Sequence, residues 1–265
     1  MLNPNDKHVC AILCELPSNI KLTSPNLERI RSLARDHDLA VVRDETVGNF
    51  VNIDLLPYVD IITTSVTKMF SGAANVTGGS VIANPNSPHY EELYDAISSR
   101  YETVSCFPED ISVLRENSID MVERVQRANA NTLRVMSVFT NHRAVARVNH
   151  PFRDLEYMSY ERHRRQNGGY GNVSSVVFHN RGSAEHFYDN LDICKGSSFG
   201  TNFTLAIPFV QLAAYIVQES IEKYGLPKHI IRISVGLENP RRIRAKMKEA
   251  LDKVETFELG PGSEF

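Results

Sequence analysis

Short apolar runs that alternate with a helical segment constrain the fold of this chain most. Runs typical of β-strands lie at residues 9–15, 39–43, 60–65 and 79–83. Residues 25–36 predict a helix, because Pro25 suits the first helical position and Ser24 is a natural N-cap before it. This alternation is typical of a parallel sheet covered by helices. We therefore expect an α/β domain in the first part of the chain.

The pattern changes after this region. Residues 110–142 predict a long helix or a kinked pair of helices. Further on, the sequence predicts strands at 144–150 and 173–179, the second antiparallel, and helices at 181–191 (capped by Ser183), 208–224 and 240–254. Together these predict a first domain at 1–110, an interdomain helix at 111–143, an α+β domain at 144–258 and a tail at 259–265.

Composition excludes several classes of function. The chain has 265 residues, 42% of them hydrophobic and 23% charged, with a net charge of -3, which is typical of a soluble globular protein. Without a basic excess or a long apolar run, we expect no nucleic-acid partner and no membrane span. Four cysteines without metal-ligand spacing, and no signal peptide, indicate a cytoplasmic protein without a metal. We expect the basic segment 160–170 to be a solvated loop rather than a phosphate or nucleic-acid site.

Lys68 ends an apolar run that carries hydroxyl groups. Ser65 and Thr67 precede it, and on an extended chain two residues at this spacing share a face and can reach one anion. A lysine at the carboxyl end of a strand lies where open α/β sheets bind ligands, and a desolvated lysine can form a Schiff base. The simpler interpretation is a surface lysine that follows a buried strand.

Two further residues complete a possible site. Asp44 ends the run before that of Lys68, so the two residues can lie on neighbouring parallel strands. A carboxylate there can pair with the ring nitrogen of pyridoxal phosphate, or it is an ordinary turn acid. Arg232 alternates with apolar residues, so it is either an edge residue facing water or a buried fork for a carboxylate.

These motifs resemble, in order along the chain, those of the Cys/Met-metabolism PLP-dependent enzymes, and the fungal-type cystathionine γ-synthases in particular. The matching segments are Glu15-Leu-Pro-Ser-Asn19, Asp44-Glu-Thr-Val-Gly-Asn-Phe50, Ser65-Val-Thr-Lys68, Asn75-Val-Thr-Gly-Gly79, Gly196-Ser-Ser-Phe-Gly-Thr-Asn-Phe-Thr204 and Ile231-Arg-Ile-Ser-Val-Gly-Leu-Glu238. The resemblance implies an incomplete PLP-dependent transferase large domain of the aspartate aminotransferase type, with a parallel-rich sheet, followed by a smaller α+β C-terminal domain.

The resemblance also implies roles for the matched positions. Lys68 would form the Schiff base with pyridoxal phosphate and move the substrate α-proton. The other cofactor-binding residues would be Asp44 at the ring nitrogen, Ser65 and Thr67 at the phosphate, and Asn19 near the phenolic oxygen. Arg232 would hold the substrate carboxylate, with Ser198 beside it.

The implied reaction is γ-substitution on an O-acylated homoserine by cysteine or a similar nucleophile. The alternatives are a γ-lyase, a secondary-metabolite (alkaloid-type) γ-transferase, and a non-catalytic truncated remnant. Family members are homodimers or homotetramers that share active sites between subunits, which implies the same here.

Three departures from the family pattern affect these expectations. Arg43 precedes Asp44 where the family usually has an apolar residue or an acid, and alanines stand at positions 73 and 74. The long portion that precedes Glu15-Leu-Pro-Ser-Asn19 in the family is not in this sequence. We therefore expect an open site beside Lys68, weak or no cofactor binding by the chain alone, solubility only when the chain is paired, and an uncovered apolar surface near residues 9–15.

Overall fold

A four-stranded sheet forms the first part of the molecule. The computed structural model describes residues 9–102 and 106–260. The strands are β1 (Ala11–Glu15), β2 (Ala40–Asp44), β3 (Ile61–Ser65) and β4 (Gly79–Ala83), in that order across the sheet. All four lie within two residues of the predicted positions. The first three are parallel, whereas β4 runs antiparallel to β3.

The reversal of β4 corrects the expectation of a parallel sheet and has a local cause. The connection from β3 to β4 contains no helix and closes on itself, because the Gly78 amide donates to the Thr67 hydroxyl over 2.9 Å. A parallel return needs a crossover, usually a helix. The sheet is therefore rich in parallel pairs but not purely parallel.

A helix covers one face of this sheet. Helix α1 (Leu27–Asp36) buries Leu27 and Ala34 against Val41 of β2. Its N-cap is Asn26, whose side chain accepts a hydrogen bond from the Arg29 amide over 3.0 Å, and not Ser24 as predicted.

The edge strand β1 presents apolar side chains to solvent. Val9 and Leu13 are 70% and 72% exposed. Among the described residues β1 pairs only with β2. This is the exposed apolar surface that the sequence predicts at residues 9–15.

Three helices connect the two halves of the molecule. They are α2 (Tyr90–Ser98), α3 (Pro108–Ser118) and α4 (Met121–Met136). The break between α3 and α4 means that the 110–142 pattern corresponds to a pair of helices, the second of the two predicted alternatives. Helix α4 is the more buried of the pair, and Val125, Ala128 and Val135 lie in the core.

A mainly antiparallel five-stranded sheet organises the second half. Its strands are β5 (Val145–Asn149), β6 (Val173–Phe178), β7 (Cys194–Lys195), β8 (Leu205–Pro208) and β9 (Ile231–Ser234), in the order β5-β6-β9-β8-β7. The remaining helices are α5 (Tyr157–Glu161), α6 (Arg181–Asn190), α7 (Phe209–Ala213), α8 (Gln218–Glu222) and α9 (Pro240–Leu259). The predicted α+β character is therefore present, although the domain bounds remain predictions.

Several local predictions for this half need correction. Helix α6 begins at Arg181, so Ser183 lies inside it, where its hydroxyl bonds to Glu258. The 208–224 segment begins on β8 and breaks into α7, a 3₁₀ turn and α8, rather than forming one helix. Helix α9 begins at Pro240 as predicted but continues into the predicted tail, of which residues 261–265 lie outside the described part of the chain.

The basic segment 160–170 is packed in part, while its Arg162 and Arg165 side chains remain exposed, so the predicted solvated loop describes only part of it. Tyr160 is fully buried, and its hydroxyl donates to the Gly169 carbonyl over 2.7 Å. The Arg165 amide donates to the Asn52 carbonyl over 2.8 Å, which fixes the segment against the loop after β2. Aromatic and backbone contacts of this kind are not visible in the charge pattern. In the described part of the chain, no helix is both long and apolar enough to cross a bilayer.

Candidate active site

Lys68 lies in the turn that follows β3 and contacts the second half of the molecule. Its Nζ donates a hydrogen bond to Ser198 Oγ over 2.9 Å. Burial lowers the pKa of the Lys68 amine, and the nearby positive charge of Arg232 lowers it further. Both effects enlarge the fraction of neutral amine, which is the nucleophilic form. Lys68 is therefore not the surface lysine of the simpler interpretation.

Arg232 is a buried fork in the middle of a sheet. It lies on β9 between β6 and β8 and is 2% exposed, so the edge interpretation is wrong. Its Nη2 donates to the carbonyls of Ser197 and Ser198 over 2.5 and 3.0 Å, and its Nη1 donates to Asn19 Oδ1 over 3.1 Å. Burial lowers the pKa of Arg232 to about 10. Neutral oxygens thus hold a cation in a position where a carboxylate would be a stronger partner.

Asn19 lies in the turn after β1, and hydrogen bonds hold both its backbone and its side chain. Its amide donates to Glu15 Oε2 over 2.8 Å, while its side-chain oxygen accepts from Arg232. Burial raises the pKa of Glu15 despite this hydrogen bond. Asn19, a predicted cofactor-binding residue, therefore contacts the predicted substrate-binding residue Arg232 directly.

Asp44 and Ser65 end neighbouring parallel strands, whereas Lys68, which was predicted to end the second strand, lies three residues further on in the turn. In the register of β2 and β3, Asp44 is opposite Thr63. Asp44 Oδ1 accepts from the Thr46 amide over 2.8 Å, and the Thr46 hydroxyl accepts from the Ser65 amide over 2.8 Å. This chain of contacts holds the two strand ends together.

The relation between Ser65 and Thr67 differs from the extended-chain prediction. Strand β3 ends at Ser65 and the chain turns, because the Lys68 amide donates to the Ser65 carbonyl over 3.2 Å. Thr67 therefore lies beyond the strand, and its hydroxyl is already bonded to Gly78. Among the described residues the Ser65 hydroxyl makes no hydrogen bond, so it is the freer of the two for an anion.

Comparison with known proteins identifies the family. The family model for "Cys/Met metabolism PLP-dependent enzyme" matches residues 2–252. The chain belongs to this family. Pyridoxal phosphate is the cofactor on which the family depends, and the predicted resemblance is confirmed.

Individual relatives agree with this assignment. The chain is 44% identical over 247 residues to the cystathionine gamma-synthase-like protein ankD of Aspergillus thermomutatus, covering 93% of this chain and 44% of that protein. It is 43% identical over 228 residues to the cystathionine gamma-synthase of Neurospora crassa, covering 86% of this chain and 37% of that protein. The chain thus spans less than half the length of these curated relatives.

A solved structure confirms the fold. The cystathionine gamma synthase of Xanthomonas oryzae pv. oryzae, crystallised with cystathionine, matches with a TM-score of 0.82 at 20% identity. The match covers 92% of this chain and 63% of that one. The expected fold of a PLP-dependent transferase is therefore correct.

The sequence interpretation assigned a role only to Ser198 in the loop 196–200. In the structure, other residues of this loop also help to form the candidate active site. The Phe199 ring centroid lies 5.3 Å from Lys68 Nζ and 5.0 Å from Arg232 Cζ, so one ring faces both cations. Gly200 has a φ of +73°, and a Cβ there would lie 2.6 Å from the Met69 amide nitrogen. Only glycine permits this close approach of the loop to the Lys68 turn.

Arg124 of α4 is a second residue that the sequence interpretation missed. Its Nη1 and Nη2 donate to the carbonyls of Met69 and Phe70 over 2.9 and 2.8 Å, and its Nε donates to Asp120 over 2.7 Å. Arg124 therefore supports the turn that follows Lys68. The available signal was an arginine on the apolar stripe of a helix, beside Met121 and Val125.

Proposed function

We propose that this chain is part of a pyridoxal-phosphate-dependent enzyme that performs γ-substitution on an O-acylated homoserine, with cysteine or a similar nucleophile. One observation carries the proposal. Ser198 bonds to the amine of Lys68 through its hydroxyl and to the guanidinium of Arg232 through its carbonyl. An amine for the cofactor and a cation for a substrate carboxylate thus lie side by side.

The residues present fit the cofactor. We assign Asp44 to its ring nitrogen, the free Ser65 hydroxyl and Thr67 to its phosphate, and Asn19 to its phenolic oxygen. Thr67 would have to exchange its bond with Gly78, so we expect the Ser65 hydroxyl to contribute more. When bound, pyridoxal phosphate supplies an electron-withdrawing ring that weakens the bonds at the substrate α carbon.

The protein side chains would then handle protons and charge. Lys68 Nζ, with its lowered pKa, would remove the proton from the substrate Cα, and after it has given up that proton it would be able to take one from Cβ. Ser198 Oγ would hold this amine in place, and Arg232 would bind the carboxylate bidentately. The largely buried Phe199 would keep water away from both groups.

Labelling of Lys68 tests the cofactor assignment. The protein is incubated with pyridoxal phosphate and reduced with borohydride, and mass spectrometry locates the pyridoxyl group. We expect the label on Lys68 and its loss in both Lys68→Ala and Lys68→Arg, because arginine retains the charge but forms no stable imine. Lys248→Ala, at an exposed lysine of α9, is the matched control and should retain the label. Undiminished labelling of Lys68→Ala would refute the assignment.

Product analysis in the full-length protein distinguishes the reactions. With O-acylhomoserine and cysteine, γ-substitution gives a thioether amino acid, whereas a γ-lyase gives a keto acid. A product formed only with a nitrogen or carbon nucleophile would indicate the secondary-metabolite γ-transferase. Cofactor labelling without turnover of any of these substrates would indicate a non-catalytic member.

We further propose that the protein works in the cytoplasm as a homodimer or homotetramer with shared sites. All four cysteines are free thiols, which suits a reducing compartment. The exposed apolar side chains of Leu13 in β1 and of Val9 just before it support contact with more polypeptide.

A further inference from the structure

Four arginine side chains line one cavity between α4 and the start of α9. Arg127 and Arg134 belong to α4, and Arg241 and Arg244 belong to α9. The cavity has a volume of about 590 Å³. Arg127 and Arg134 are seven residues apart, two helical turns, so they lie on one face of α4. Arg241 and Arg244 are three residues apart and share a face of α9.

Asn131 fixes the two helices in this arrangement. It lies between Arg127 and Arg134 on the same face of α4. Its side-chain amide donates to the carbonyls of Gly236 and Glu238, each over 3.0 Å. Glu238 directly precedes the N-cap of α9, so these bonds hold the start of α9 against the two arginines of α4.

The four guanidinium groups have no anionic partner within residues 9–102 and 106–260. None of them forms a salt bridge or donates a side-chain hydrogen bond there. By contrast, Arg124 of the same α4 helix pairs with Asp120. Like charges around one concave surface repel, and a concave surface concentrates their potential. An anion bound in the cavity would relieve this repulsion.

The side chains, and not the helix terminus, would make the contacts. Asn239 Oδ1 already accepts the Arg241 amide over 2.9 Å, and Pro240 has no amide proton. The positive end of the α9 dipole adds to the potential but offers few free donors. Arginine forks match phosphate oxygens bidentately.

We propose that this cavity is a binding site for a small anion with several phosphate groups, separate from the cofactor position beside Lys68. Its volume lies in the range of small-molecule sites, roughly 300 to 1,000 Å³, and exceeds what one phosphate ion fills. Four arginines can neutralise the charges of a di- or triphosphate group. None of the cavity residues belongs to the candidate active site.

Calorimetric titration with inorganic tripolyphosphate tests the site. Saturating pyridoxal phosphate is present throughout, so that the cofactor position near Ser65 cannot take up the probe. We expect one saturable site per chain, weakened at least about tenfold in the Arg241→Gln/Arg244→Gln variant and likewise in Arg127→Gln/Arg134→Gln. The matched control, Arg29→Gln/Arg35→Gln, removes two exposed arginines from α1 and should bind as the parent does.

Three results would overturn the proposal. The first is the absence of saturable binding, and the second is equal weakening by the α1 control, which would indicate a diffuse charge effect. The third is tighter binding of an acidic peptide than of tripolyphosphate, which would make the cavity a protein-docking surface. Near-ultraviolet circular dichroism of each variant ensures that a loss of binding reflects the lost charges and not misfolding.

Discussion

Substitution of Gly200 should separate the two halves of the candidate active site. In Gly200→Ala the new Cβ would lie 2.6 Å from the Met69 amide nitrogen and 3.1 Å from Lys68 Cβ. The first contact is with backbone, so it cannot be relieved by a change of rotamer. The loop 196–200 must therefore move away from the turn that carries Lys68.

The energetic cost has two parts. An alanine at a φ of +73° is in the left-handed region, which costs about 1 to 2 kcal/mol. Displacement of the loop adds the loss of the Lys68–Ser198 hydrogen bond, about 1 kcal/mol. We expect the free energy of unfolding to fall by about 2 to 3 kcal/mol, a large share of a typical stability of about 5 to 15 kcal/mol.

The assay compares Gly200→Ala with Gly196→Ala. An added Cβ at Gly196 would meet only Leu205 Cδ2 at 3.4 Å, which is ordinary contact, so this variant controls for an alanine in the same loop. Urea denaturation measures stability, and borohydride labelling of Lys68 measures cofactor capture under conditions in which both variants are folded. We expect Gly200→Ala to lose stability and labelling, and Gly196→Ala to keep both. Equal stability and equal labelling of the two variants would refute the argument that the close approach at Gly200 forms the site.

Two further predictions concern buried charges. Burial raises the pKa of Glu45 from 4.5 to about 7, so the folded protein holds the Glu45 proton more tightly than the unfolded chain does. The stability that this proton contributes is therefore lost as the pH rises through this window. Glu45→Gln should abolish this pH-dependent loss of up to about 3 kcal/mol, measured as the difference in unfolding free energy between pH 5 and pH 8. A parent protein equally stable at both pH values would contradict this. Arg232→Ala should raise the Michaelis constant for the amino-acid substrate by a factor equivalent to about 2 to 5 kcal/mol, while the cofactor spectrum persists. Arg232→Lys should have an intermediate Michaelis constant. An unchanged constant in steady-state kinetics would disprove the assignment.

The sequence could predict those features that are local in the chain. Strands β1 to β4 follow from apolar runs, and the position of Asp44 beside the Lys68 strand follows from parallel pairing. The antiparallel direction of β4 could not be predicted from periodicity, since it depends on the bond between Thr67 and Gly78. Periodicity describes which face of an element is buried and gives no direction to its neighbour.

Contacts distant in sequence were accessible only through the family resemblance. Lys68 and Ser198 are 130 residues apart, and no propensity or pattern relates them. The motif order predicted that both belong to one site, but the contacts of Phe199 and Gly200 required the folded chain. The role of Arg124 could not be predicted from the sequence either. Its guanidinium donates to backbone carbonyls, which are present at every residue and therefore leave no pattern in the sequence.

Arg43 departs from the family pattern, but the geometry of β2 keeps its side chain away from the predicted site. Its side chain is fully buried, its Nη1 donates to Cys14 Sγ over 2.7 Å, and its Nε and Nη2 have no partner among the described residues. Burial accordingly lowers the pKa of Arg43 to about 10. Successive side chains of a strand point to opposite faces, so Arg43 lies with Val41 on the face that α1 covers, while Asp44 points the other way. The cation that replaces an apolar residue or an acid is thus buried on the α1 side of the sheet, whereas Asp44 lies on the opposite face, where we propose that the cofactor binds.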